Sequence, residues 1–182
     1  MMNFLRRYKS EIYGNYRVAY LRDGLIAGAV MFLVIVFCKL IYYPIYAPES
    51  YVTDITLLVV TLFFAYRYRK KLPEGKVSFK ELMLFGLGLG VVAAIVYGLS
   101  LMLYGSLIDR DFSSRCLEHF VLGEMRGSGT AEEKEATVAV MRSYKLHTWA
   151  FIGTFRTAVM SIMSAFIAAL IFRTERLVTS ET

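Results

Sequence analysis

Three ionisable residues, Lys39, Asp54 and Arg156, lie within long apolar stretches of this 182-residue chain. Charged side chains inside a membrane are costly, and they normally pair with one another or face a polar cavity. Depth is counted from the outer end of each predicted span, at 1.5 Å per helical residue. Lys39 and Asp54 then lie roughly 6 Å below the outer end, and Arg156 lies roughly 12 Å below it. Lysine and arginine side chains are long enough to close that gap, so we expect the three residues to converge. The tyrosines expected near them are Tyr42, Tyr97 and Tyr104.

The expected cluster has two interpretations. In the structural one, Arg156 pairs with Asp54 and Lys39 extends its ammonium group to the membrane interface. In the ligand-binding one, two cations against one acid leave an excess positive charge, and the planar guanidinium group is well suited to bind a lipid phosphate. The first predicts an Arg156–Asp54 contact, and the second predicts a cavity that Arg156 shares with Lys39.

A second group with possible chemistry is Cys116, Glu118 and His119, which share one predicted helix. A structural zinc site needs four well-placed ligands, and the chain has no Cys-x-x-Cys or His-Glu-x-x-His pattern. Cys116 also belongs to an apolar stripe, where a buried cysteine behaves as a small hydrophobic residue. We therefore expect no catalytic residue, no metal and no cofactor, and we predict that the protein is not an enzyme.

The composition favours a membrane protein over a soluble domain. Hydrophobic residues make up 57% of the chain, and they are concentrated in long runs. The formal charge is +6, but the basic residues flank the apolar runs instead of forming a patch on a soluble domain. We therefore expect the lipid bilayer, and not nucleic acid, as the surroundings of this chain.

The apolar runs predict an all-α membrane protein with four transmembrane helices in a single domain of residues 1–182. The predicted spans are about 21–43, 51–68, 79–107 and 148–172. Basic residues concentrate in the N-terminal segment, in the 67–80 loop and in the tail after 172, which predicts that both termini are cytoplasmic. Small residues repeat at helical spacing, as in Gly24 and Gly28 and in Gly86 and Gly90, and this predicts close helix packing in a four-helix bundle.

Residues 108–147 form a polar insert between spans three and four. Apolar residues recur at helical spacing from Phe112 to Met125, and Thr130 to Glu133 fits a capping box that opens a second helix. The insert is thus predicted to be an extracytoplasmic helical hairpin. Because no Gly or Pro interrupts residues 131–152, we expect its second helix to continue directly into span four.

Several motifs occur together along the chain. They are Gly24-Leu25-Ile26-Ala27-Gly28, Ser78-Phe79-Lys80-Glu81, Tyr104 followed by Ile108-Asp109, Asp111-Phe112, and the small-residue stretch Ser161 to Arg173. In these motifs the chain resembles a family of small bacterial inner-membrane proteins, the domain of unknown function 4199. The resemblance implies a multi-pass protein of the bacterial inner membrane with no established activity. Members are often encoded near glycosyltransferases that act on polyprenyl-phosphate, which implies such a partner.

Two classes of function follow from these observations. The first is a non-enzymatic accessory or scaffold subunit that partners another membrane protein, with a polyprenyl-phosphate glycosyltransferase suspected, or that forms a homo-oligomer. The second is a small transporter or lipid translocator with an anionic-lipid site at Lys39, Asp54 and Arg156. An internal inverted repeat would favour transport, and the two halves have no convincing similarity.

Overall fold

The computed structural model describes residues 2–41, 51–72, 75–126 and 129–174, and the regular structure in these ranges is entirely helical. This confirms the predicted all-α class. The described helices are α1 (Met2–Leu40), α2 (Val52–Lys71), α3 (Phe79–Leu103), α4 (Phe112–Arg126), α5 (Ala131–Met141) and α6 (Leu146–Phe172). A π-helical turn, Tyr104–Ile108, follows α3 directly. Helix α1 begins well before the predicted first span, because the basic N-terminal segment continues into it as one helix.

Within the described ranges, three helical segments are long and apolar enough to cross a membrane: Ala19–Leu40, Phe79–Ile108 and Leu146–Phe172. Their outward faces carry large exposed apolar side chains, among them Leu33, Phe37, Ile95, Leu99, Phe155 and Ile162. Exposed apolar surface on this scale is unfavourable in water and favourable against lipid. The helices therefore support the expectation of a membrane protein.

The helices pack in the order α1, α3, α6, α2, with the most extensive contact between α3 and α6 and a smaller one between α1 and α2. Helices α1 and α3 run in one direction, and α2 and α6 run in the other. We call the end where α1 and α3 finish the insert end, because α4 and α5 follow α3 there. We call the opposite end the basic end, because it carries Arg69, Lys70, Lys71, Lys80 and Arg173.

The α3–α6 interface is built from residues with little or no side chain. Gly86 faces Ala165, Gly90 faces Ser161 and Gly98 faces Thr154. A methyl group added to Gly86 would lie 2.7 Å from the Ala165 Cβ atom and 2.9 Å from its Cα atom, closer than atoms pack. The small residues thus allow the two helix backbones to approach closely, as the sequence predicted.

The contact between α1 and α3 uses the same device. Gly24 packs against Val92, where an added Cβ would lie 2.7 Å from the valine Cβ, and Gly28 packs against Val96. Asp23, next to Gly24, is buried and accepts hydrogen bonds from Arg22. The Gly24–Gly28 face therefore packs inward, in agreement with the prediction.

Both predicted capping boxes are present. The Ser78 hydroxyl accepts the backbone N–H of Glu81 at the start of α3, and the Thr130 hydroxyl accepts that of Glu133 at the start of α5. In each box the glutamate carboxylate accepts the backbone N–H of the capping residue in return. These bonds satisfy helix-end donors that have no intrahelical partner.

The prediction that α5 continues into the last span is wrong, because α5 ends at Met141 and α6 begins at Leu146. The N–H groups of Ser143 and Tyr144 donate to carbonyls three residues back, and Lys145 is extended. The Tyr144 ring then packs on Trp149, with ring centroids 5.4 Å apart. Aromatic packing against α6 thus accompanies a bend at a site without Gly or Pro.

We expect Gly86→Ala to lower the free energy of unfolding by about 1–3 kcal/mol, because the added methyl group has no space against Ala165. Thermal unfolding in detergent measures this effect. Val91→Ile, which adds one carbon at an exposed position of the same helix, is the matched control and should leave the stability unchanged. Combining Gly86→Ala with Ala165→Gly should recover part of the loss. An equal loss in Gly86→Ala and Val91→Ile would contradict the close contact.

The start of α5 should depend on pH through Glu133. Its hydrogen bonds with the Thr130 backbone and side chain lower the pKa of its carboxyl group below the ordinary 4.5. The stabilisation is therefore present above pH 4.5 and is lost as the pH falls through the lowered pKa. Hydrogen exchange at the first turn of α5, corrected for intrinsic rates, should show this loss. Glu133→Gln should abolish the pH dependence and Glu132→Gln should retain it; the reverse pattern would disprove the assignment.

Candidate functional site

The π-helical turn after α3 determines where Asp109 lies. In this turn the Asp109 N–H donates to the Tyr104 carbonyl, five residues back, at 2.9 Å. The Asp109 carbonyl then accepts the Phe112 N–H, also at 2.9 Å, where α4 begins. The wider turn carries the chain from α3 into α4 and leaves the Asp109 side chain only 3% exposed. Such π-helical turns frequently occur at functional sites.

Three polar groups contact one oxygen of the buried Asp109 carboxylate. Asp109 Oδ2 lies 3.2 Å from the Lys39 ammonium nitrogen, 3.3 Å from the Tyr104 hydroxyl and 3.6 Å from a guanidinium nitrogen of Arg115. These partners belong to α1, to the π-helical turn and to α4. We call Lys39, Tyr104, Asp109 and Arg115 the Asp109 cluster. It connects the insert to two of the long helices at the insert end.

A second ionic contact joins α6 to α2. A guanidinium nitrogen of Arg156 donates to a carboxylate oxygen of Asp54. The side chain of Asp54 is 12% exposed and that of Arg156 is 45% exposed, so the arginine is on the outer side of the pair. Helical side chains tilt towards the helix N-terminus, which for α6 is the insert end, and this directs Arg156 towards the first turn of α2.

Tyr97 lies beside this ion pair. It is buried in α3 and lies close enough to Thr53, Asp54 and Arg156 to interact with them electrostatically. Tyr97 therefore completes the Arg156–Asp54 contact from the α3 side.

The structure divides the predicted site into two clusters. The predicted Arg156–Asp54 contact is present, with Tyr97 beside it. Lys39 pairs with Asp109 instead, together with Tyr104, and Tyr42 lies outside the described residues. The described geometry does not test ligand binding by these residues, which stays a prediction.

Sequence reasoning missed Asp109 and Arg115 as members of the site. Asp109 stands just beyond the end of predicted span three, on the same side as Lys39 and within reach of a long lysine side chain, and this was the signal that could have identified it. A regular α-helical continuation of α3 would direct residue 109 elsewhere, so its contact with Lys39 depends on the π-helical turn.

Cys116 lies between the two clusters. Burial, followed by the nearby Asp109 charge, raises the pKa of its thiol to about 12, so the thiol is protonated at neutral pH. A protonated thiol is neither an effective nucleophile nor a metal ligand. Within the described ranges, no three His, Cys, Asp or Glu residues lie together in a way that could hold a metal ion.

The two clusters present cations at the insert end. The side chains of Lys39 and Arg115 are 32% and 38% exposed, whereas their shared carboxylate is buried. Partly exposed ammonium and guanidinium groups donate hydrogen bonds to oxyanions. The arrangement is thus suited to binding anions or polar groups of a neighbour, and among the described residues we identify no pair of nucleophile and general base.

A family model described as "Protein of unknown function (DUF4199)" matches residues 2–174. The chain therefore belongs to this family, and the resemblance found in its sequence motifs is confirmed. No curated protein and no solved structure matches the chain.

We expect Asp109→Asn to loosen the insert, because Lys39 and Arg115 would lose their shared negative partner. Because both cations are partly exposed, we expect the insert to lose only about 1–2 kcal/mol of stability. Hydrogen exchange should show weaker protection of α4, with roughly tenfold faster opening. Asp111→Asn makes the same chemical change at an exposed position two residues away and should leave α4 unchanged. Equal effects of the two variants would argue against Asp109 as the connecting residue.

Proposed function

We propose that this member of a family of unknown function is a non-enzymatic accessory or scaffold subunit of a membrane assembly. In this proposal it is a multi-pass protein of a bacterial inner membrane, with four transmembrane helices and both termini in the cytoplasm. The insert then lies on the extracytoplasmic side. The partner is another membrane protein that contacts the faces of α2 and α6 near Arg156.

The packing of α2 along α6 supports the fourth span. Asp54 contacts Arg156 near the insert end, and the rings of Tyr66 and Phe172 lie 5.8 Å apart near the basic end. Helix α2 therefore accompanies most of α6, which is long and apolar enough to cross a membrane. Exposed Ile55, Val59 and Phe63 give α2 an apolar outward face. The charges at its two ends, Asp54 and the Arg69–Lys71 group, suit the two interfaces.

The main observation in support of the proposal is that Arg156 is exposed within an apolar helix. Its side chain is 45% exposed although it is paired with Asp54, and its neighbours Phe155 and Val159 are exposed apolar residues. A partly covered guanidinium group facing hydrocarbon is unfavourable, and a polar or acidic group of a partner helix would cover it. The cationic outer side of the pair thus favours a hetero-partner with complementary polarity.

The interior of the helix assembly also supports a structural role. Gly86, Gly90 and Gly98 bring α3 and α6 into close contact, which leaves little room between them for a substrate. The ionisable groups at the insert end pair with one another across helices. These features are typical of a rigid platform.

A lipid translocator is the second candidate, favoured by the partly exposed cations at the insert end. The Arg156–Asp54 contact gives that arginine a structural role first, which is why the accessory function is preferred. The partner class that the family resemblance implies is a glycosyltransferase acting on polyprenyl-phosphate, and we include it in the proposal.

The experiment places a photo-crosslinking amino acid at Val159, one turn from Arg156, in cells of the native species. We expect a covalent adduct with one different membrane protein, identified by mass spectrometry, and the proposal is strengthened further if that protein is a polyprenyl-phosphate glycosyltransferase. The same probe at Ile95, on the exposed face of α3, is the matched control and should give no such adduct.

A variant without the two charges of the Arg156–Asp54 pair tests whether the exposed Arg156 contributes to partner binding. Asp54→Asn combined with Arg156→Gln removes both charges together, so neither is left unpaired, and folding should be retained. We expect the Val159 adduct to fall several-fold in this variant. Adducts only between copies of this chain, equal adducts from Val159 and Ile95, or no protein adduct at all would each overturn the proposal.

A further inference from the structure

The basic end carries two cations, one at the end of α2 and one at the end of α6. Lys70 is exposed on the last turn of α2, and Arg173 caps α6 and is partly exposed. In the part of the chain that the structure describes, neither side chain forms an ion pair with a carboxylate. Glu81, which also lies at this end, accepts hydrogen bonds from Ser78 in the capping box of α3. Both cations therefore keep their charge available to a ligand.

Two aromatic rings connect Lys70 to the end of α6. The Lys70 ammonium nitrogen lies 4.6 Å from the centroid of the Tyr66 ring, one turn earlier in α2. The Tyr66 ring lies 5.8 Å from the ring of Phe172, the residue before Arg173. An aromatic face attracts an ammonium group without neutralising its charge. The ring pair thus holds Lys70 in position at the same end of the α2–α6 contact as Arg173.

The backbone of Arg173 is fixed on both sides. Its N–H donates to the Ala169 carbonyl at 3.2 Å, which completes α6. The next residue, Thr174, forms a short bridge to Val77 before α3: the Thr174 N–H donates to the Val77 carbonyl at 3.1 Å, and the Val77 N–H donates to the Thr174 hydroxyl at 2.7 Å. Because the backbone is already held, an anion that binds Arg173 has only its side chain to order, which lowers the entropic cost of binding.

We propose that Lys70 and Arg173 bind the anionic headgroup of a membrane phospholipid at the basic end of the α2–α6 contact. The headgroup phosphate accepts charge-assisted hydrogen bonds from the ammonium and guanidinium groups. Basic sites between membrane helices bind anionic headgroups in this way. This inference goes beyond the proposed function and does not depend on it, because the Arg156–Asp54 pair lies towards the opposite end of α2 and α6.

The apolar surface beside the cations favours a lipid over a soluble phosphate. The face of α2 that carries Lys70 also carries three exposed side chains at spacings of three and four residues, namely Val59, Phe63 and Tyr66. On the neighbouring helix, the apolar segment Leu146–Phe172 ends directly before Arg173. The cations thus lie where apolar helix surfaces end, which is the level of the headgroups in a bilayer. The apolar face of α2 is then positioned to contact an acyl chain of the same lipid.

The test measures lipid binding to the purified full-length chain in detergent by native mass spectrometry. The anionic probe is dioleoyl phosphatidylglycerol, and the zwitterionic control with the same acyl chains is dioleoyl phosphatidylcholine. We expect phosphatidylglycerol to bind more tightly, because only its headgroup carries a net negative charge. Lys70→Gln and Arg173→Gln should each weaken phosphatidylglycerol binding by about fivefold. Lys70→Arg keeps the charge and should retain binding.

Lys71→Gln is the matched control, because it removes the same charge from the neighbouring exposed residue of α2. Adjacent helical residues point about 100° apart, so Lys71 projects from a different face than Lys70 and Tyr66. Lys71→Gln should therefore retain phosphatidylglycerol binding. Thermal unfolding in lipid-free detergent verifies the fold, and each variant should unfold at the temperature of the unmodified chain.

Equal weakening by Lys70→Gln, Arg173→Gln and Lys71→Gln would show that only overall surface charge attracts the lipid, and it would overturn the proposal. Equal binding of phosphatidylglycerol and phosphatidylcholine would overturn it as well. Displacement of phosphatidylglycerol by millimolar inorganic phosphate would show that the acyl chains contribute nothing, and it would overturn the assignment of a lipid. The Val159 adduct is a separate readout that Lys70→Gln should leave unchanged, so failure of the lipid site is distinguishable from failure of the accessory function.

Discussion

The structure depends above all on the close approach of α3 and α6. Gly86, Gly90 and Gly98 remove the side chains that would otherwise hold the two helices apart, and Ala165, Ser161 and Thr154 occupy the space opposite them. In a membrane, apolar side chains gain little free energy when they exchange contacts with lipid for contacts with another helix. Dense van der Waals packing between the helix backbones is therefore the main attraction between α3 and α6. Helix α1 then packs onto α3, helix α2 packs onto α6, and α1 and α2 contact each other less extensively.

The sequence predicted this interior well because its signals are local. Apolar runs of sufficient length, glycines four residues apart and capping boxes each act within one or two helical turns, so they can be recognised without knowledge of the fold. The Arg156–Asp54 contact was also predictable, because few charges lie within the apolar segments and opposite charges in lipid seek each other.

The features that the sequence did not predict depend on places where the backbone is not a regular α-helix. The π-helical turn Tyr104–Ile108 redirects Asp109 to Lys39, and the bend at 142–145 separates α5 from α6. In neither segment does a Pro mark the change. The aromatic contact of Tyr144 with Trp149 and the ionic contacts of Asp109 accompany these departures, and such contacts join residues that are distant in sequence or on different elements. The depth of Lys39 along a regular helix does not anticipate the π-helical turn that brings Asp109 to it.

The two clusters at the insert end are neighbours but face different surroundings. Cys116, buried in α4, is close enough to interact with both Asp109 and Tyr97, so the interior between the clusters is continuous. The Asp109 cluster opens beside the ends of α1 and α3, whereas Arg156 is exposed on the face of α2 and α6. Because energetic coupling between two sites needs an element with two discrete arrangements, and the α3–α6 pair is closely packed by its small residues, we expect the clusters to act independently. A rigid α3–α6 pair would then hold the face near Arg156 and the insert in a constant relative orientation, which is what a scaffold requires of its fold.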